Sequence, residues 1–300
     1  MTLASRFNVA VRICLMIEGQ EGVTWEQWLA LAEAAEAAGL EGLFRSDHYR
    51  SIGRGEPAGS LDAWTTLAAV AARTERIRLG TMVSPVTFRP ASVLAKSVVT
   101  VDHVSGGRVE LGIGGGWYES EHQAYGFPFL TARERMDELD RQLAEIHRQW
   151  SEEAPEIQPK PLQRPLPIVV GGSAKPRTVA AAVRYAQEYN TPFATVDEAR
   201  ERHARVDEAA RAAGRDPLVF SMMTGCVVGR DTAEVEQRIA DWRRVGKRDD
   251  APPLCGTVDE VATQLRAYEE AGVERAMLQH LHHEDVEMVA VLGELAAAVA

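Results

Sequence analysis

The sequence predicts a (β/α)8 barrel, an α/β fold in which eight parallel strands are each followed by a helix. Short apolar runs of strand length alternate with long amphipathic stretches along the chain, and eight such units can be counted. Strict alternation implies parallel strands with right-handed crossovers, and 300 residues suffice for one barrel. An open doubly wound sheet is the alternative, and it would carry fewer strands or a clear dinucleotide-binding motif.

The predicted strands are apolar runs bounded by turn residues or by charged stretches. They cover residues 7–17, 40–45, 77–84, 108–113, 166–170, 188–193, 218–224 and 275–280. The predicted helices have apolar residues three and four apart, and Thr24 and Gly39 are the expected N-cap and C-cap of the first. They cover residues 25–38, 61–72, 91–104, 133–150, 177–187, 197–213, 232–245, 258–271 and a final stretch from about 284. The proline-rich stretch 155–167 is interpreted as a stiff loop inside a single domain spanning residues 1–300.

The composition is that of an ordinary globular protein, with 45% hydrophobic and 26% charged residues. A net charge of −11 argues against nucleic acid or an anionic membrane as a partner. Three widely spaced cysteines, Cys14, Cys226 and Cys255, form neither a disulfide framework nor a zinc site. With no recognisable signal segment and no apolar run of about 18–20 residues, we expect a cytoplasmic protein.

In a barrel of this kind the active site collects where the strands end. The second predicted strand is followed by Asp47 and His48, a carboxylate beside an imidazole that can exchange a proton near neutral pH. A loop histidine beside a helix-capping aspartate is the alternative. The third strand runs through Met82 and Val83 into a proline turn, which by itself indicates little.

Two glycine-rich turns follow the fourth and fifth strands. Gly114, Gly115 and Gly116 let the backbone approach a ligand closely, but Trp117 occupies the position of the last glycine of a dinucleotide fingerprint. The turn over residues 172–178 opens a helix, whose free N–H groups could bind phosphate, with Ser173, Arg177 and Thr178 as further donors. A flexible turn and simple helix capping are the respective alternatives.

A histidine-rich segment follows the eighth strand. His280, His282 and His283 with Glu284 and Asp285 could ligate a metal, so a metal-dependent barrel hydrolase is a competing class. Apart from Asp47 and His48, no further ligands are evident at the other strand ends. We therefore predict no metal site, and we interpret the cluster as a polar rim with acidic residues at a helix start.

These segments, in this order, resemble the luciferase-like monooxygenase superfamily, and specifically its branch that uses the deazaflavin coenzyme F420. The matching blocks are residues 39–49, 61–90, 95–129, 167–190 and 256–279. The resemblance implies a barrel with the cofactor at the carboxyl ends of the strands, and relatives are usually homodimers. Flavin-using luciferases tend to have Glu-His-His where this chain has Asp47-His48, which favours F420 over FMN.

The resemblance also implies roles for individual residues. His48 would protonate or orient the substrate, and Asp47 would bond the ring system or hold the loop. Met82-Val83 matches a bulge against the ring that is often built on a non-proline cis peptide. The remaining matches are Gly114, Gly115 and Gly116 beside the cofactor tail, and Gly172, Ser173, Ala174, Arg177 and Thr178 in the phosphate-binding turn.

The chain departs from its relatives in two places. Sugar-phosphate dehydrogenases of this branch carry a catalytic glutamate where this chain has Trp117, so we do not predict that substrate. The segment 151–165 is short, whereas relatives commonly have a longer excursion there over the active site, so we expect a more open or reduced pocket.

The leading hypothesis is hydride transfer between F420 and a small organic substrate, without a metal. Three alternatives stay open: an FMN-dependent monooxygenase with a partner reductase, a metal-dependent hydrolase, and a non-catalytic cofactor-binding protein.

Overall fold

The computed structural model describes residues 10–53, 58–247 and 249–300. The strands form where the sequence has its apolar runs. In chain order they are β1 Arg12–Ile17, β2 Gly42–Arg45, β3 Arg78–Thr81, β4 Ser84–Pro85, β5 Val109–Gly114, β6 Ile168–Gly171, β7 Glu188–Pro192, β8 Val219–Gly229, β9 Leu254–Thr257 and β10 Arg275–His280. Positions 7–9 of the first predicted strand lie outside the described residues.

The helices alternate with the strands. They are α1 Trp25–Ala37, α2 Ala63–Ala71, α3 Ala91–Ser105, α4 Glu119–Tyr125, α5 Ala132–Trp150, α6 Pro176–Tyr185, α7 Val196–Ala212, α8 Thr232–Gly246, α9 Val258–Glu270 and α10 Val286–Val299. Thr24 caps α1 as predicted, through a capping box with Gln27. No helix in the described ranges has the length and apolarity that crossing a membrane requires.

Eight of the strands close into a parallel barrel, which confirms the predicted fold class. Their order around the barrel is β1, β2, β3, β5, β6, β7, β8 and β10, and β10 pairs with both β8 and β1. The short strands β4 and β9 extend the sheet beside β5 and β8. Three elements were not predicted as such: the helix α4 and the separate strands β4 and β9. Strand β8 also runs five residues beyond its predicted end at Thr224.

Side chains alternate between the inside of the barrel and the helix-facing side because successive strand residues point in opposite directions. In β1, Ile13, Leu15 and Ile17 belong to the large cluster packed with the helices. Cys14 and Met16 instead join a small interior cluster with Phe44, Met82, Val169 and Met277. Cys14 and Cys226 are free thiols and fully buried, as the sequence suggested.

The two ends of the barrel differ in what they hold. We call the end where the strands begin the base and the end where they finish the mouth. The segment 151–165 joins the end of α5 to β6 and therefore lies at the base, where Leu162 and Gln163 bond to Asp102 and Gln163 bonds to the carbonyl of Val109. The expectation that its length shapes the pocket is therefore wrong. The unpredicted α4 lies near the mouth, since Trp117 in the turn before it lines the cavity described below.

Candidate active site at the mouth

The mouth contains a cavity of about 590 Å³, a size typical of small-molecule and cofactor sites. Its walls come from the ends of most strands and from the loops that follow them. The lining residues discussed below are Glu18, Gln20, Glu21, Ser46, His48, Ile52, Met82, Val83, Gly114, Gly115, Gly116, Trp117, Gly172, Phe193, Val245, Gln279 and Leu281. The cavity therefore lies where the fold class places active sites.

His48 lines this cavity and is held by a buried carboxylate. Its Nδ1 lies 2.8 Å from Oε2 of Glu121, which comes from α4 and is fully buried. The other carboxylate oxygen of Glu121 accepts hydrogen bonds from the backbone N–H groups of Tyr49 and Arg50. Because an ionised carboxylate can only accept, Nδ1 carries the hydrogen and Nε2 is the ring nitrogen left for a bound molecule.

The surroundings of His48 favour its charged form. Burial alone would lower its pKa, but the hydrogen bond that His48 donates to Glu121 and the negative charge of that carboxylate outweigh burial, so the pKa of His48 is raised. The rings of Trp117 and Tyr118 meet the imidazole edge-on, with centroids 5.7 Å and 6.1 Å away. His48 is thus fixed in orientation and suited to hold a proton for delivery into the cavity.

Asp47 takes the second of its two predicted roles, since it holds the loop and does not line the cavity. Its carboxylate accepts from both terminal nitrogens of Arg89, at 2.6 and 3.1 Å, and from the hydroxyl of Ser84 at 2.6 Å. Arg89 also bonds to Asp62 at 2.6 Å. This network ties the loop after β2 to β4 and to the loop before α3.

The bulge at Met82-Val83 forms one wall of the cavity. The peptide bond between these residues is cis, as the resemblance implied. Val83 packs directly on β5, because a Cβ atom built at Gly114 would lie only 2.8 Å from Cγ2 of Val83. Gly116 has a φ of +75°, a left-handed conformation that favours glycine. Gly114 at the end of β5 is therefore required by the bulge, and Gly116 is favoured by the turn.

The glycine turn after β6 reaches the cavity only at Gly172. Ala174 donates its N–H to the hydroxyl of Tyr189 at 2.8 Å, and Thr178 lies against Met136. The guanidinium of Arg177 turns towards α5, where it bonds to Asp137 and Asp140 at 2.7 and 3.1 Å. Ser173, Ala174, Arg177 and Thr178 thus lie outside the lining, and their contact with a phosphate stays a prediction.

Sequence reasoning missed two groups of site residues. One is Glu121, which is 73 positions from His48 and lies on a helix that was not predicted. The other is Glu18 and Gln20 after β1 with Gln279 of β10, which line the cavity and bond to one another. The sequence signal for the second group is the pair of carboxylates, Glu18 and Glu21, that follows the first strand.

The histidine-rich segment after β10 gives the hydrolase alternative no support. Within residues 10–53, 58–247 and 249–300, no three His, Cys, Asp or Glu side chains are arranged to hold a metal ion. His280 is buried, its Nε2 lies 3.0 Å from the carbonyl of Asp285, and burial lowers its pKa to about 4. It is therefore a neutral, hydrogen-bonded core histidine near neutral pH.

Comparisons with known proteins identify the family. The sequence profile of luciferase-like monooxygenases matches residues 6–253. An uncharacterized protein of Mycobacterium tuberculosis is 32% identical over 224 residues, which span 70% of this chain and 74% of that protein. The FMNH2-dependent dimethylsulfone monooxygenase of Pseudomonas putida is 27% identical over 68% of this chain and 58% of its own length. The F420-dependent glucose-6-phosphate dehydrogenase of Beutenbergia cavernae is 38% identical over 42% of this chain and 37% of its own length.

Solved structures show the same fold over nearly the whole chain. The monooxygenase RslO1 from Streptomyces bottropensis superposes with a TM-score of 0.79 at 24% identity, covering 96% of this chain and 98% of its own. An F420-dependent secondary alcohol dehydrogenase, solved with an F420–acetone adduct, gives a TM-score of 0.80 at 18% identity over 97% and 99%. At these identities the likeness is one of architecture.

Proposed function

The chain belongs to the luciferase-like monooxygenase family, and from that premise we propose that it is an oxidoreductase that transfers a hydride between coenzyme F420 and a small organic substrate. Its relatives use either F420 or FMN, so the cofactor is one of these two. The choice of F420 is our proposal. It rests on the Asp47-His48 pair and on the chemistry that the geometry of His48 can perform.

The observation that supports the proposal is the pairing of His48 with a fully buried glutamate at the edge of the cavity. When bound, the deazaflavin supplies a hydride. Reduction of a carbonyl group needs a proton on oxygen together with a hydride on carbon. His48 can deliver that proton from Nε2 because Glu121 stabilises the charged ring from the other side. In the oxidative direction the same nitrogen would accept the hydroxyl proton.

The residues at the mouth fit a planar ring system with an anionic tail. Met82 and Val83 would support the ring, and the glycines of β5 and its turn leave backbone rather than side chains at the adjacent wall. The tail would pass Gly172 towards the start of α6, where unpaired N–H groups and the helix dipole favour negative charge. The cavity of about 590 Å³ leaves room for a small substrate beside the ring.

A titration of the purified protein with each cofactor tests the proposal. Oxidised F420 and oxidised FMN would be added separately, and dissociation constants would be measured from fluorescence and by calorimetry. We expect F420 to bind at least about tenfold tighter, a difference of about 1.4 kcal/mol. Tighter binding of FMN would instead assign the chain to the flavin-dependent monooxygenases, as favoured by the relative from Pseudomonas putida.

A further inference from the structure

The carboxylates that line the mouth lie on one side of the barrel. Strands β1 and β6 are four positions apart in a ring of eight and therefore lie on opposite sides. The turn at Gly172 follows β6, whereas Glu18 and Glu21 follow β1. The strand next to β1 is β2, which precedes His48. An anionic tail on the β6 side would be as far as the mouth allows from these carboxylates. The substrate, which must reach His48, would bind on their side.

The Glu18 carboxylate is held by neutral groups. Its Oε1 accepts from the side-chain amide of Gln279 at 2.6 Å, and its Oε2 accepts from that of Gln20 at 2.7 Å. Gln20 is in turn bonded to the hydroxyl of Ser46. Because amides carry no charge, the negative charge of Glu18 is oriented but not neutralised by these bonds.

Glu21 adds a second carboxylate to the same side, and its oxygens accept from the Ser51 hydroxyl and from the N–H groups of Ile52 and Gly53. Among the described residues that line the cavity there is no lysine and no arginine, and His48 is the one group able to become a cation. The charge of His48 is balanced by Glu121, and Arg45, which interacts electrostatically with Glu18, does not line the cavity. An anionic substrate would therefore contact two carboxylates on this side and no cation that lacks a carboxylate of its own.

The outer wall of the cavity is apolar. Trp117, Phe193 and Ile52 are 60%, 54% and 43% exposed, which is high for large hydrophobic residues, and all three line the cavity. Val245 and Leu281 continue this wall. A substrate that covers these side chains would gain hydrophobic free energy in proportion to the apolar area buried.

We propose that the substrate is an uncharged, largely apolar carbonyl compound or the corresponding alcohol, and that Glu18 excludes anionic substrates such as carboxylates and phosphate esters. The proposal rests on the function proposed above and names its substrate class. In the reductive direction a hydride from the reduced cofactor joins the carbonyl carbon, and a proton from His48 Nε2 joins the oxygen. The product is the alcohol, the cofactor is left oxidised, and His48 regains its proton from solvent.

The test compares two ligands of similar shape, neutral cyclohexanecarboxamide and anionic cyclohexanecarboxylate. Their dissociation constants would be measured by calorimetry on protein saturated with whichever cofactor the titration selects. We expect the amide to bind about tenfold tighter than the carboxylate, since one uncompensated charge nearby is worth about that much at intermediate dielectric. In Glu18→Gln the ratio should fall to about twofold.

Two further variants keep the result interpretable. Glu18→Asp retains the charge and should keep the wild-type ratio, which separates loss of charge from damage to the loop. Glu152→Gln removes an exposed carboxylate at the base and should leave the ratio unchanged. The proposal is overturned if wild-type protein binds the carboxylate as tightly as the amide, or if Glu18→Gln leaves the ratio unchanged. If the titration selects FMN, the proposed function fails but the exclusion of anions by Glu18 can still be tested. The ratio of the two dissociation constants is an equilibrium property of the cavity and can be measured with either cofactor bound.

Discussion

The base and the mouth of the barrel each bury a carboxylate beside a cation, and the two cations differ in kind. At the base, Nη1 of Arg275 lies 2.9 Å from Glu110 and 2.5 Å from Glu188, and all three residues stand at or near the start of a strand. At the mouth, Glu121 faces His48 at 2.8 Å. The carboxylate environment is similar, so the difference lies in whether the cation can release its proton.

The cation at the base cannot exchange protons near neutral pH. Burial alone would raise the pKa of Glu110, but the charges of Arg275 and Arg78 hold it below its ordinary value. In the same cluster, burial outweighs the charge of Arg275 at Glu188 and raises the pKa of that carboxyl. Arginine itself stays protonated at all physiological pH values. The cluster therefore contributes to folding and specificity of packing, whereas a histidine in the equivalent role at the mouth can gain and lose a proton during a reaction. Similar burial thus serves structure at one end and, in the function we propose, chemistry at the other.

The largest expected effect comes from removing the cation at the base. Arg275→Met leaves Glu110 and Glu188 buried without their shared partner, and we expect the free energy of unfolding to fall by about 3–5 kcal/mol. Urea denaturation measures it. The matched control is Arg12→Met, because Arg12 is partly exposed and bonds to Glu41 at the same end, so a loss of no more than about 1 kcal/mol is expected. Equal losses in the two variants would contradict the comparison.

The next effect is on turnover at the mouth. His48→Ala should lower the turnover number by about 10²–10³-fold, because the proton donor is lost. Cofactor affinity should change by no more than about threefold, since the proposed cofactor walls at Met82, Val83 and the glycines remain. Steady-state kinetics and the cofactor titration measure the two quantities. Unchanged turnover would remove His48 from the mechanism.

A smaller effect is expected when the charge behind His48 is removed but the shape is kept. In Glu121→Gln the amide oxygen still accepts from Tyr49 and Arg50, so the fold should be retained. Without the negative charge the raised pKa of His48 should fall, and turnover in reduction should drop about tenfold.

The pH dependence of this variant follows from the direction of the shift. A raised pKa keeps His48 protonated to higher pH, so the wild-type reduction rate declines only as pH rises through that raised value. In Glu121→Gln the decline should begin at lower pH. The stability contributed by the charged pair is likewise present at low pH and is lost as pH rises through the folded-state pKa. NMR titration of His48 in cofactor-free protein measures its pKa, and pH–rate profiles measure where the reduction rate declines. A midpoint in Glu121→Gln equal to the wild-type value would refute a positioning role for Glu121.

The smallest effect is expected from an exposed ion pair at the base. Glu152 and Arg164 are both more than half exposed, so Glu152→Gln should change the free energy of unfolding by less than about 0.5 kcal/mol. It should leave cofactor affinity unchanged, because the segment 151–165 lies at the opposite end from the cavity. A change in affinity above about threefold would place that segment in the site after all.

Local patterns predicted most of the fold. The alternation of apolar runs and amphipathic stretches located the eight barrel strands and nine of the helices within a few residues, since burial on one face imposes its period on the sequence. The exceptions have weak local signals. The helix α4 is short and polar, and β9 is a four-residue strand that exists through its pairing with the end of β8.

The sequence by itself also determined that several predicted residues would meet at the mouth, because parallel strands end on one side. His48, Met82, Val83, the glycines after β5 and Gly172 all line one cavity for that reason. The sequence did not determine that Asp47, Ser173, Ala174, Arg177 and Thr178 would lie outside the cavity lining. Only the tertiary structure decided their partners. Glu121 reaches His48 from 73 positions away, and Glu18 meets Gln279 across 261 positions through closure of the barrel between β1 and β10. Such contacts leave no periodic trace, because each depends on the path of the whole chain and not on its neighbours in sequence.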